Sequence, residues 1–182
     1  MRPPMLLVAT ERYQELAEDI AGAGDFDLGN VERKVFPDGE RYRRVETNCA
    51  RRDVVLVGGT IDDGDTLEIY DLACGLVHLG VHTLTMVLPW FGYQTMERAS
   101  KRGEIVAAKN RARLLSSVPT AGSGNRAIFI DLHSEGIPHY CEGNIRPVHL
   151  HARSVVLQAI RDFGGEDFVL GATDAGRAKW VE

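Results

Sequence analysis

No apolar stretch in this sequence approaches the roughly 18 residues that a bilayer-spanning helix requires, and the N-terminus lacks a basic-then-apolar leader pattern. The expectation is a cytoplasmic protein with no membrane partner. Cysteine is scarce. Cys49, Cys74 and Cys141 lie far apart without paired spacing, which suits a reducing compartment and thiols used as small core residues. Positive charge is in deficit, with 21 Lys and Arg against 26 Asp and Glu and a net charge of −5. That balance argues against broad nucleic-acid binding. The local run Arg41, Arg43, Arg44, Arg51 and Arg52 reads as an exposed strand edge or solvated loop. Internal repeats and low-complexity segments are also missing. A zinc site built on His139 and His149-x-His151 finds no carboxylate or cysteine at a supporting spacing, and two histidines two apart diverge on a helix.

What is there is an alternation of short apolar runs and amphipathic stretches over 182 residues, 44% hydrophobic and 26% charged. That is enough for one full domain, or for one and the beginning of another. Met5 to Ala9, Asp53 to Gly59, Thr83 to Leu88 and Arg126 to Leu132 read as strands. Between them, Glu11 to about Ala21 (capped by Thr10), Asp65 to Leu79 (ended by Gly80) and Glu104 to Ser116 read as helices. Val31 to Val35 and Tyr42 to Glu46 flank a Pro37-Asp38-Gly39 turn. Farther on, His149 to Phe163 reads as a helix and Phe168 to Thr173 as extended. Continuous apolar strands separated by helices imply an α/β fold, a parallel sheet covered by helices on both faces. The expected division is a domain over residues 1–147 and a second segment over 148–182.

Ligands of such sheets bind beyond the carboxyl ends of the strands. That rim would gather Gly58 to Thr60, Trp90 to Arg98, His133 to His139 and Thr173 to Gly176. In Asp131-Leu132-His133 the acid and the imidazole share one strand face, where they could orient toward a phosphate or magnesium-bound water. Packing and loop satisfaction would use the same residues equally well. Glu97-Arg98 and Lys101-Arg102 offer charge for phosphate oxygens, or a solvated loop. Asp174 could ligate a hard cation or cap the helix that follows. In Phe36-Pro37-Asp38-Gly39-Glu40, Phe36 could stack on a base while Asp38 or Glu40 accepts from an exocyclic amine. An ordinary hairpin turn has the same composition.

The ordered set resembles ribose-phosphate diphosphokinase, the phosphoribosyl pyrophosphate synthetase family, from about Val35 onward. The resemblance implies two phosphoribosyltransferase-like domains and a transferase (kinase) of nucleotide biosynthesis using ATP, ribose 5-phosphate and Mg2+. It assigns adenine to a Phe-x-Asp-Gly-Glu loop, matched by Phe36, Asp38, Gly39 and Glu40, that usually reaches in from a neighbouring subunit. A homo-oligomer is therefore expected. It puts His133 near magnesium and the nucleotide phosphates as a catalytic residue and metal contact, and it carries the family's metal-binding aspartate onto Asp174. Glu97 and Arg98 match the acid and final arginine of a nucleotide-binding Ala-Arg-Gln-Asp-Arg segment.

The departures are local. After Gly92-Tyr93 the chain reads Gln94-Thr95-Met96-Glu97-Arg98, and Glu97-Arg98 followed by Gly103 to Ala108 is more similar to the divergent, phosphate-independent branch. Arg177 stands where the family's Asp-Ala-Gly-Gly has its second glycine. The family's basic loop and ribose 5-phosphate cradle would follow Glu182, so the chain is expected to be the N-terminal part of a longer protein and inactive alone. A non-catalytic nucleotide-binding or regulatory subunit is the alternative, motivated by Thr95, Met96 and Arg177. An ordinary phosphoribosyltransferase is a third reading.

Overall fold

Runs of β-branched and apolar residues pair as parallel strands because helical crossovers return the chain to the same end of the sheet each time. The computed structural model describes residues 4–165 together with Val169 and Gly171. In chain order it contains β1 (Met5–Ala9), α1 (Gln14–Ala23), β2 (Phe26–Leu28), β3 (Val31–Val35), β4 (Arg41–Val45), β5 (Asp53–Val57), α2 (Asp63–His78), β6 (Thr83–Leu88), α3 (Ala107–Ser116), β7 (Asn125–Ile130), β8 (Ile145–Leu150) and α4 (Arg153–Gly164). Six strands form one sheet in the order β2-β1-β5-β6-β7-β8, and β3 and β4 form a separate hairpin. Every pairing in the large sheet is parallel, with Ala9 opposite Val57, Val57 opposite Val87 and Leu88 opposite Phe129. The expected α/β architecture is present.

Two compact units make up the chain, Met1–Leu150 and His151–Glu182. In the first, alternation along the strands sends Leu6, Val8, Leu56, Leu84, Met86, Leu88 and Phe129 to one face. There they form the main core with Ile69, Leu72 and Leu76 of α2 and Ala108, Ala112 and Leu115 of α3. Leu7, Ala9 and Val57 point the other way and pack with Ala17 of α1. Helices thus lie on both faces. In the second unit, α4 ends at Gly165, whose φ of +66° is a conformation glycine adopts without Cβ strain.

Helix α2 shows how local chemistry sets an end. The Asp62 carboxylate accepts from the Asp65 N–H at 2.9 Å, Asp63 and Asp65 favour the positive end of the helix dipole, and His78 lies in the last turn. Gly80, at φ +81°, donates its N–H to Val77 O and stops the helix. Thr10 behaves differently from expectation and does not cap α1. Its N–H extends the ladder by donating to Val57 O, and its hydroxyl is buried beside Gly58 without a hydrogen-bond partner. A 3-10 turn over Glu11–Tyr13 intervenes before α1. The helix expected from His149 is also displaced, because Ile145–Leu150 adds a sixth strand beside β7 and α4 starts only at Arg153. A single apolar-rich run with Pro147 inside it hides an edge strand from sequence periodicity. The expected strand over Phe168 to Thr173 includes residues outside the described ones. Among the described residues, no helix is long and apolar enough to cross a membrane.

The β3–β4 hairpin is held to the sheet by a buried carboxylate. Glu68 of α2 is 3% exposed. It accepts from Arg33 Nε at 3.0 Å and from the Glu11 N–H at 3.1 Å, with Arg43 Nε at 3.7 Å. Arg33 also donates to Ala9 O at 2.5 Å, and Arg43 donates to Asp71 at 3.1 Å. Removing one partner of a buried ion pair leaves charge uncompensated in low dielectric. Glu68→Ala is therefore expected to cost about 3 kcal/mol, measured as a lowered urea midpoint, and to loosen the hairpin selectively in amide exchange.

The three cysteines are free, Cys49 being buried and the other two half-buried. Burial raises all three thiols, and Cys141, despite a hydrogen bond with Ser116, is pushed up to about 11. The thiolate is the reactive form. Alkylation of Cys141 at pH 8 should therefore run about a hundredfold slower than for a thiol at the reference pKa, accelerating only as pH approaches 11.

Candidate functional site

Parallel register brings the carboxyl ends of β5, β6 and β7 to one level, and the loops leaving them satisfy each other's polar groups. The Thr60 N–H donates to Trp90 O at 3.1 Å, and the Gly92 N–H donates to Thr60 Oγ1 at 2.8 Å. The His133 N–H donates to Gln94 Oε1 at 2.7 Å, and the Tyr140 hydroxyl donates to Glu97 O at 2.6 Å. Three of the four segments expected on one rim, Gly58 to Thr60, Trp90 to Arg98 and His133 to His139, are thus joined. The fourth, Thr173 to Gly176 with Asp174, lies outside the described residues.

The loop after β6 is closely fitted. A Cβ on Gly92 would lie 1.9 Å from the Thr60 carbonyl oxygen, so only glycine fits. Next to it Tyr93 takes φ +58°, a left-handed conformation rare for an aromatic residue. Its ring lies 4.6 Å from the Arg111 guanidinium, its hydroxyl donates to Asp63 Oδ1 at 3.3 Å, and Arg111 bonds the same Asp63 oxygen at 2.5 Å. Gln94, 7% exposed, then points its carbonyl oxygen at the β7 end. Glu97 is half-buried, whereas the Arg98 side chain is 80% exposed and pairs with Glu97 at 3.6 Å. Arg98 is thus a cation reachable by an anionic ligand.

At the end of β7, Asp131 has φ +46°, Leu132 is buried, and His133 is half-buried. The Asp131 N–H donates to Leu150 O at 2.9 Å, and the Leu132 N–H donates to His149 Nε2 at 2.9 Å. His149 Nδ1 in turn contacts Glu135 Oε2 at 3.0 Å. A carboxylate does face His149, contrary to the expectation from spacing. The chain folds back between Glu135 and His149, 14 positions apart, a proximity that sequence separation conceals.

The Phe36–Glu40 turn sits at the hairpin tip. Gly39 at φ +92° donates to Phe36 O, the Phe36 N–H donates to Glu40 O at 2.9 Å, and the Glu40 N–H donates to Asp38 Oδ1 at 3.1 Å. This is a three-residue loop closed by a glycine bulge. Phe36 is 44% exposed and meets Tyr42 edge-to-face at 6.0 Å. Among the described residues, these contacts of the tip stay within its own hairpin. Lower on that hairpin, hydrogen bonds from Lys34 and Arg44 hold the half-buried Glu32 carboxyl below its usual range.

A cleft of about 420 Å³ lies between β4 and α2, lined by Arg41, Arg43, Val45, Asp71, Leu72 and His78. It is apart from the strand-end rim, and Arg43 is already paired there with Asp71 and Glu68. The rim, where strained backbone and exposed charge converge, is the better candidate.

Carboxyl-end loops on a parallel sheet with a detached hairpin define an α/β protein of the phosphoribosyltransferase-like class. The N-terminal domain of ribose phosphate pyrophosphokinase matches residues 5–118, and the chain belongs to that family. Ribose-phosphate pyrophosphokinase of Fusobacterium nucleatum is 30% identical over 169 residues, covering 91% of this chain and 52% of that protein. The Saccharolobus solfataricus enzyme of the same name is 27% identical over 179 residues, covering 95% of this chain and 60% of its own. The phosphoribosylpyrophosphate synthetase of Mycobacterium smegmatis shares the fold at a TM-score of 0.80 and 22% identity, over 97% of this chain and 58% of that one. The chain thus spans little more than half the length of these relatives.

Overpacking against backbone cannot be relieved by a rotamer change. Gly92→Ala is expected to cost roughly 3 kcal/mol in thermal unfolding and to disturb the amide resonances of Thr60 and His133.

Proposed function

We propose that this chain supplies the nucleotide-binding part of an enzyme that transfers the β,γ-diphosphoryl group of ATP to the 1-hydroxyl of ribose 5-phosphate. In that reaction a bond forms between the sugar oxygen and Pβ, the Pα–O–Pβ bridge breaks, the hydroxyl proton is lost, and AMP departs with phosphoribosyl diphosphate as the other product. The observation that carries the reading is the joined rim of the β5, β6 and β7 loops, with the His133 amide fixed by Gln94. Family membership supplies the substrate class.

In this reading the exposed Arg98 and the half-buried Glu97 border the phosphates. His133 lies against them as the catalytic residue. Phe36 stacks on adenine while Asp38 and Glu40 read its amine edge. Magnesium would lie between His133 and Asp174, with water and phosphate oxygens supplying most of its ligands. Bound there, it offsets charge on the phosphates. Phosphoryl transfer depends mostly on positioning and electrostatics, so the protein's part is to hold these groups still. Phe36, Asp38 and Glu40 are exposed at the hairpin tip, which supports an adenine site shared with a second copy in a homo-oligomer. The second compact unit, His151–Glu182, is read as the start of a second, similar domain that would share in binding ribose 5-phosphate.

A non-catalytic nucleotide-binding subunit is the second reading, favoured by Thr95 and Met96 in place of the family's Arg and Gln. Ligand that binds only the folded state raises its melting temperature. ATP with magnesium should protect the chain against heating, and His133→Ala should weaken that affinity about tenfold, some 1.4 kcal/mol, without shifting the melting temperature of the apo chain. Phe36→Ala should weaken binding in the oligomer and leave a monomer unaffected. AMP formation from ATP and ribose 5-phosphate by the protein together with any further domain it possesses separates enzyme from subunit. Absence of both protection and AMP formation refutes the proposal.

A further inference from the structure

Three successive amides at the end of β7 each have a named acceptor. Asp131 N–H is held by Leu150 O, Leu132 N–H by His149 Nε2, and His133 N–H by Gln94 Oε1. The first is an extension of the β7–β8 ladder. The other two are side-chain acceptors brought from the loop after β6 and from strand β8, and both serve a segment whose first residue is in a left-handed conformation. We infer that Gln94 and His149 are positioning residues which clamp the backbone of Leu132 and His133 and thereby fix where the His133 imidazole is presented. The inference rests on the preceding assignment of His133 to the nucleotide phosphates.

The chemistry of His149 is specified by its neighbours. Its Nε2 accepts the Leu132 N–H and so carries no proton, which puts the ring proton on Nδ1, facing Glu135 Oε2 at 3.0 Å. Glu135 thus selects the tautomer that can accept. The same arrangement disfavours a cation on Nδ1, since the proton would have to move to Nε2, against the Leu132 N–H. The side chain of His149 is only 8% exposed, so the bond is shielded from water. Gln94 reaches the clamp from the loop after β6, where Gly92 and Tyr93 are pinned to Thr60 and Asp63. It stands where the resembling family segment has alanine, which has no acceptor to offer. The strand end is therefore anchored from both sides, from the β6 loop and from β8. Leu132, buried at 1% exposure, supplies the apolar pivot between the two held amides.

The test is NMR on this chain, reading amide exchange and histidine ring nitrogens. Wild-type His149 should show the Nδ1–H tautomer. Gln94→Met, which keeps length but loses the acceptor, should accelerate exchange of the His133 amide at least tenfold, displace the His133 ring resonances and weaken MgATP binding several-fold. Gln94→Glu, which retains an oxygen acceptor, should restore slow exchange. His149→Phe should accelerate the Leu132 amide in the same way, and Gln94→Met decides the matter even where that variant folds poorly. Unchanged exchange at His133 in Gln94→Met, ring resonances that do not move, or a uniform speed-up across all of β7 with a lower melting temperature would each overturn the clamp. If the amide and ring respond while MgATP affinity stays at the wild-type value, or wild type binds no MgATP, the clamp stands and the nucleotide role of His133 fails.

Discussion

Neighbouring parallel strands β5, β6 and β7 stop at one level, and the polar backbone leaving them is too crowded for water to satisfy it. Each loop therefore takes its partners from the next. Thr60 serves the amide of Gly92, Trp90 O serves the amide of Thr60, and Gln94 serves the amide of His133. A buried amide without an acceptor costs on the order of 1–3 kcal/mol, so these bonds are obligatory once the strands are in register. They explain the fitted glycine at position 92 and the left-handed Tyr93 and Asp131. Strain of this kind persists only where surrounding structure over-determines it.

The hairpin is governed by a different device. It pairs with no strand of the large sheet, so backbone hydrogen bonds cannot place it there. Glu68 does so instead, gathering Arg33, Arg43 and the Glu11 amide around one nearly inaccessible carboxylate. An ion pair in this position contributes little net stability compared with a hydrophobic contact, but it is directional. It therefore suits an element whose tip must stand at a fixed place while exposing Phe36, Asp38 and Glu40.

Much of this architecture is legible in the sequence. Thr83–Leu88 reads as a strand because it is apolar and β-branched between a glycine and a proline, and α2 is ended by Gly80, although its start lies at Asp63 behind the Asp62 cap rather than at Asp65. The Phe-Pro-Asp-Gly-Glu turn and Asp-Leu-His strand end carried the family. Strand β8 was missed because its apolar run continues into the pattern of α4, and periodicity alone cannot divide such a run. Thr10 looked like a helix cap but is committed to the β1–β5 ladder through its amide. Gln94 reads as a departure from the family segment and His149 as the start of a helix without a carboxylate at a supporting spacing, since neither carries a local sign of what it bonds.

The sequence by itself determined the alternating α/β order and the turn at residues 36–40, because each depends on contacts between near neighbours in the chain. Only the tertiary structure decided that Gln94 and His149 converge on adjacent amides from 39 and 17 residues away, and that Glu68 meets Arg33 across 35. Those pairings follow from strand order and register, which bring distant segments together for reasons no local pattern records.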